Sequence, residues 1–120
     1  MTRKAIQHVD FQTLVLISRE VVSLTGEEHE HDEEDDRRLK SLVEEVERSY
    51  NQEPFDKALI RKVSLLAFRL ATGQHFHEGN KITALAAASA FLRMNNRSTD
   101  IKNPVMISVI DRAGVGVAQV

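Results

Sequence analysis

Residues Gln74-His75-Phe76-His77-Glu78-Gly79-Asn80-Lys81-Ile82-Thr83-Ala84 bring two imidazoles, a carboxylate and a Gly-Asn-Lys turn together at the start of an apolar run. A glycine-containing loop that enters a helix leaves backbone N–H groups pointing at one spot, where the helix dipole favours negative charge. Lys81 adds a cation on a long stem. Glu78 is out of place beside an anion unless a cation bridges the two, and a carboxylate next to phosphate is a common way of holding magnesium. Asn80 can cap the helix and still donate from its amide. Such a group fits a magnesium–phosphate site of the kind a nucleotide needs. Glu-Gly-Asn-Lys is equally an ordinary polar turn, and on spacing alone both readings stay open.

The elements that position this loop are helical almost throughout. Asp10 is a good N-cap before Phe11, Leu14, Val15, Ser18, Val21 and Val22, which recur on one helical face, and Gly26 supplies a stop. Asp35 or Asp36 caps a second helix with Leu39, Leu42, Val43, Val46 and Tyr50 on one stripe. A third helix starts near Pro54 and runs to about Thr72. It is apolar nearly all round from Val63 to Ala71, which predicts a central position, and Gly73 ends it. The fourth starts at about Asn80 with a run of small residues from Ala84 to Ala90, so it should pack closely on the third, and Asn95-Asn96 is its exit. Asn103-Pro104 reads as the cap of a short last helix to about Arg112, while residues 114–120 fit either a strand or a frayed tail. The expected architecture is an all-α, single-domain bundle over residues 1–120. It should have about 5–6 helices, with two central buried helices flanking the motif loop.

Composition narrows the class. A chain of 120 residues holds one domain, and with Phe, Trp and Tyr at only 5% the packing falls to Leu, Val, Ile and Ala. Without cysteine there is no disulfide framework, thiolate nucleophile or zinc-finger site. No apolar run reaches the roughly 18 residues that span a bilayer, and Met1 to Ile6 lacks an apolar signal-peptide core. The expectation is a cytoplasmic protein with no membrane partner. Residues 27–36 carry eight acids and no base, most simply a solvated loop, and His29 and His31 within it could catch a divalent cation only adventitiously. The remaining chain has 10 acids against 16 bases, a surplus that suits a phosphate-bearing ligand. Arg and Lys are scattered and Tyr50 is the only tyrosine, so nothing points to nucleic acid.

From about Leu65 to Asn96 the chain resembles the signature region of the Fic/Doc family. That pattern is His-x-Phe-x-[Asp/Glu]-[Gly/Ala]-Asn-[Lys/Gly]-Arg-Thr, followed by a small-residue helix ending Phe-Leu-x-x-Asn-Gly. Phe76, Glu78, Gly79, Asn80, Lys81, Thr83, Ala84 and Leu85 match, and Phe91, Leu92 and Asn95 follow at the expected places. Chain length and the Lys after Asn resemble the short death-on-curing (Doc) branch. The resemblance covers about a quarter of the chain densely. It implies a Fic/Doc-type helical fold and transfer of a phosphoryl or adenylyl group from a nucleoside triphosphate to a protein hydroxyl. By that resemblance Glu78 holds Mg2+, Gly79, Asn80 and Lys81 bind the phosphates of ATP or another nucleoside triphosphate, and Phe76 anchors the loop.

Two positions depart from the pattern. Gln74 stands where the family places its catalytic His, and an amide cannot act as a general base near neutral pH. Ile82 stands where the family places an Arg that grips phosphate, a loss Lys81 alone does not replace. His75 and His77 are the nearby rescue candidates, though a shift along an ordered loop turns a side chain away from the site. The blander reading makes both loop histidines. Ser41 to Glu45 fits the first five positions of the Fic inhibitory pattern, Val46 breaks the sixth, and the match reads as chance on a Glu-rich helix.

The leading expectation is therefore a Doc-like protein whose transferase activity is impaired. The alternative is a non-catalytic nucleotide- or protein-binding module, a toxin-like partner for an antitoxin-type peptide, a target protein or a second copy of itself.

Overall fold

Asp10 opens the first helix as its side chain predicts. Its Oδ1 accepts from Thr13 N at 2.8 Å and its carbonyl accepts from Leu14 N at 3.2 Å, closing the N-terminus of α1 (Phe11–Thr25). In the computed structural model, which describes residues 5–25, 33–72 and 80–97, there follow α2 (Glu33–Arg48), α3 (Phe55–Thr72) and α4 (Asn80–Met94). All regular secondary structure among the described residues is helical, as expected of an all-α chain. Gly26, Gly73, the helix expected from Asn103 and the 114–120 tail lie outside the described residues, so four of the about 5–6 expected helices are described.

The described helices pack in sequence order and close on themselves. α1 packs on α2, α2 on α3, α3 on α4 and α4 back on α1, with no diagonal contact. Their shared core holds Leu14, Ile17, Leu39, Leu59, Leu66 and Leu70, all essentially without exposed surface. Each such side chain contributes about 1.5–3 kcal/mol relative to leaving it in water. The α3–α4 interface is the most extensive. Ala84, Ala86, Ala87 and Ala90 are buried there and toward α1, so small side chains do bring the backbones close.

Three expectations need correction. The acidic run is not all loop: Glu33, Glu34, Asp35 and Asp36 form the first turn of α2, where they oppose the positive end of its dipole, and Asp35 is buried. Tyr50 is not on the α2 stripe. The helix ends at Arg48, and Tyr50 adopts φ 65° in the turn beyond, half-exposed, with the Arg61 guanidinium 5.6 Å over its ring. For a non-glycine residue that backbone costs about 1–2 kcal/mol. Finally, α3 is not apolar-packed all round. Phe68 is 64% exposed and Ile60 61%, because among the described helices α3 packs only on α2 and α4. The enveloped helix is α4, buried on most of its circumference, with Leu85 as its exposed apolar residue.

The exit at Asn95-Asn96 is a full C-cap. Asn96 takes φ 57°, its N–H donates to Arg93 O at 3.1 Å, and Arg97 N donates to Leu92 O at 2.9 Å. These two bonds satisfy carbonyls the last turn would otherwise leave open.

Candidate functional site

Of the residues assigned to the motif, Gln74, His75, Phe76, His77, Glu78 and Gly79 lie outside the described residues, as do His29 and His31. What the structure supplies is the frame around the loop. α3 ends at Thr72, whose Oγ1 donates to Phe68 O at 2.7 Å, and α4 begins at Asn80, followed by Lys81. Asn80 and Lys81 are thus the first two residues of α4, at the end of a helix where unsatisfied N–H groups and the positive end of the dipole favour an anion. Ile82 and Thr83 turn inward. Ile82 is half-buried against the hydrophobic core, and Thr83 is 1% exposed with its Oγ1 lacking a hydrogen-bond partner. The position where the resemblance expects a phosphate-gripping Arg is therefore occupied by a side chain that packs on the core.

Among the described residues no group of three or more His, Cys, Asp or Glu could hold a metal ion, and no helix is long and apolar enough to cross a membrane. Glu45, which shares its helix with Ser41, forms an interhelix ion pair with Arg69 at 3.1 Å. That pair gives Glu45 a structural task and adds nothing to an inhibitory role.

A second polar cluster lies at the opposite end of α3 and was not anticipated. Lys62 is wholly buried, and its Nζ donates to Val46 O at 2.8 Å and Glu47 O at 3.0 Å. These are carbonyls of the last turn of α2, so the ammonium neutralises the negative end of that dipole. Burial pushes the Lys62 amine below its ordinary value, with the Glu47 carboxylate opposing. His8 lies in the non-helical segment before α1, its ring 6.0 Å from that of Phe91. Burial lowers its pKa, the Lys62 charge lowers it further, and Glu47 acts in the other direction. Its Nε2 is buried without a partner.

His8 also lines a cleft of about 340 Å³ between the N-terminal segment and the turn joining α2 to α3, with Ile6, Asn51, Glu53, Phe55 and Ala58. Glu53 Oε2 sits 3.2 Å from Arg61 Nε in an ion pair that lacks hydrogen-bond alignment, so it too counts as a buried oxygen without a hydrogen bond. Sequence pattern offered little warning of this cluster. The one signal was Lys62, at a core position of the α3 stripe between Leu59 and Leu66.

No protein-family model, curated protein or solved structure matches the chain. The Fic/Doc resemblance accordingly rests on the residues from about Leu65 to Asn96 themselves.

Proposed function

We propose that the chain is a Doc-like member of the Fic/Doc family that binds a magnesium-bound nucleoside triphosphate at residues 74–84 and transfers its phosphoryl or adenylyl group weakly or not at all. The observation that carries this reading is the start of α4 at Asn80. Asn80 and Lys81 thereby belong to the N-terminal turn of a helix, an end from which backbone N–H groups can bind phosphate, and this supports the reading. The all-helical architecture and the close α3–α4 pair on either side of the loop agree with it.

In this reading Gly79, Asn80 and Lys81 hold the phosphates and Glu78 holds the magnesium, which when bound neutralises phosphate charge. The chain's own contribution is positioning and electrostatic stabilisation. The step it lacks is proton removal from a target hydroxyl, because the amide of Gln74 is no base near neutral pH. Ile82 removes a second cation, and its side chain packs on the core.

Calorimetric titration with magnesium–ATP tests the reading: saturable binding at millimolar nucleotide is expected, and its absence overturns both the weak transferase and the nucleotide-binding relic. Where binding is seen, a radiolabel-transfer assay of Gln74→His/Ile82→Arg follows. Gain of transfer marks a decayed enzyme, and an inert double variant marks a binding module. His75→Ala should leave any natural activity unchanged, and a loss would assign His75 the rescue.

One observation favours the second reading, a protein-binding module. Ile60 and Phe68 stand two turns apart on α3, both more than half exposed, and Leu85 on α4 is 60% exposed. Where such side chains adjoin in one contiguous patch they mark a protein contact. Sedimentation equilibrium of the chain and of Phe68→Ser distinguishes self-association through this face from a monomer.

A further inference from the structure

Residues 5–9 carry no regular secondary structure, yet they are tied to the bundle along their length. Val9 is buried in the shared core and Ile6 packs against it. Asn95 holds Gln7 from both sides, accepting from its N–H and donating to its carbonyl, each at 2.8 Å. Between these anchors the His8 ring lies beside Phe91, with its Nε2 buried and unpartnered. The segment forms one wall of a cleft whose other wall includes Asn51, Pro54, Phe55 and Ala58.

A second proton on the imidazole has no place in this arrangement. Imidazolium donates from both ring nitrogens, and Nε2 has no acceptor. Lys62, on α3, is wholly buried, and its charge repels an imidazolium at His8. Glu47, in the last turn of α2, attracts one, but it is exposed and acts on His8 more weakly than burial and Lys62 do. Glu53, in the turn between α2 and α3, is paired with Arg61 at 3.2 Å. From α4 come Phe91 and Asn95, both uncharged. Asp10, before α1, caps Thr13 N, and Arg97, beyond α4, pairs with Asp56. Of the two cations, Lys62 is tied from the middle of α3 to the carbonyls of Val46 and Glu47. His8 sits outside any helix, on the kind of segment that opens locally before the whole fold does.

We propose that residues 5–9 form an acid-released strap: a proton on His8 beside the Lys62 ammonium opens the Asn95–Gln7 clasp and frees the segment, baring Phe91, Pro54, Phe55 and Ala58. The four helices stay packed through their own core. This device lies apart from the motif loop and does not depend on the nucleotide-binding reading. Released, the imidazole has its ordinary value of 6.5, whereas in place burial and then Lys62 hold it lower. The closed strap is therefore at full stability above pH 6.5 and loses it as pH falls toward the lowered value. One proton changes the closing equilibrium by at most about tenfold per pH unit.

Amide hydrogen exchange of the full chain, followed by ¹⁵N NMR and expressed as protection relative to the unstructured rate, tests the strap. The Gln7 N–H reports the clasp because it donates to Asn95, and Leu66, buried on α3, reports the core. Gln7 should be less protected than Leu66 at both about pH 7.5 and about pH 5, which marks opening without the core. Over that range its protection should fall about tenfold, within the roughly thirtyfold that one proton allows. His8→Gln, whose amide takes up no proton, should lose most of this pH dependence. Constant Gln7 protection in the natural chain overturns the proposal. Protection of Gln7 that coincides with that of Leu66 at each pH overturns it too, since exchange then requires global unfolding. A fall of the same size in His8→Gln assigns the release to another group, with the same consequence.

Discussion

At the residue scale the unusual groups are Lys62 and His8, two titratable side chains held where charge is penalised. Lys62 keeps its ammonium by docking on the carbonyls of Val46 and Glu47. Those carbonyls retain other donors, Ser49 N at 3.4 Å and Asn51 Nδ2 at 3.0 Å. Lys62→Met should therefore destabilise the chain by only about 1–2 kcal/mol in urea unfolding, the scale of one lost charge-assisted bond partly offset by relief of ammonium desolvation. His8 gives a pH effect with a definite sign. Its folded pKa lies below the ordinary 6.5 because of burial and, secondarily, the Lys62 charge. As pH falls below 6.5 the unfolded chain takes up a proton that the folded one resists, so the unfolded state gains. The contribution of His8 is complete above its unfolded value and is lost as pH falls through the lowered folded value. His8→Gln should consequently show a smaller drop in urea midpoint between about pH 7 and about pH 5 than the natural chain. Equal drops would mean that His8 is not held neutral.

At the element scale α4 is where local pattern and global packing meet. Its C-terminal Asn95 acts as a clasp for the N-terminal segment. Asn95 Oδ1 accepts from Gln7 N, and Nδ2 donates to Gln7 O and Phe91 O, each at 2.8 Å. Asn95→Ala removes all three and leaves polar groups of Gln7 and Phe91 to find water, which should cost about 3 kcal/mol by thermal or urea unfolding. Ala87 has no exposed surface, so Ala87→Leu should cost about 1–3 kcal/mol through overpacking. If α4 were instead packed on one side only, that substitution would be near neutral. These cases also mark what the sequence makes legible. The Asp10 cap, the α2 stripe, the start of α4 at Asn80 and the Asn95-Asn96 exit depend on neighbours within one turn, and short-range pattern shows them. Whether α3 or α4 is enveloped depends on which helices touch across the chain. Apolar content misleads there, because Phe68 and Ile60 face outward while alanines fill the centre. His8 is illegible for the same reason, and Lys62 shows only as a charge at a core position of the α3 stripe: the acceptors that hold it lie 15 and 16 residues away on another helix. At the candidate site, the helix start is readable from Gly79 and Asn80, and local chemistry offers Glu78 and Lys81 as a magnesium–phosphate pair beside the plain polar-turn reading, whereas the role of Gln74 comes from resemblance alone.

At the scale of the whole molecule, the motif loop joins the two helices that share the largest interface, α3 and α4. α4 is also the helix that α1 and the Asn95 clasp hold from the other side. A ligand bound where α4 begins would stabilise the fold as a unit and not merely the loop. Ligand at about one hundred times its dissociation constant adds about 2.7 kcal/mol to the folded state. In a domain of this size that corresponds to a rise of about 10 °C in the unfolding midpoint, at about 4 °C per kcal/mol. Magnesium–ATP should therefore raise the midpoint of the chain in one cooperative transition, while magnesium alone should not. Ile82→Arg should strengthen the effect if its guanidinium reaches the phosphates. Because Ile82 packs on the core, the same substitution should lower the midpoint without nucleotide. The two measurements together separate lost phosphate grip from lost packing: a variant less stable when free but raised further by nucleotide would show that Ile82 exchanged ligand affinity for core packing. A variant that is less stable and no better stabilised by nucleotide would place the phosphates out of reach of this position.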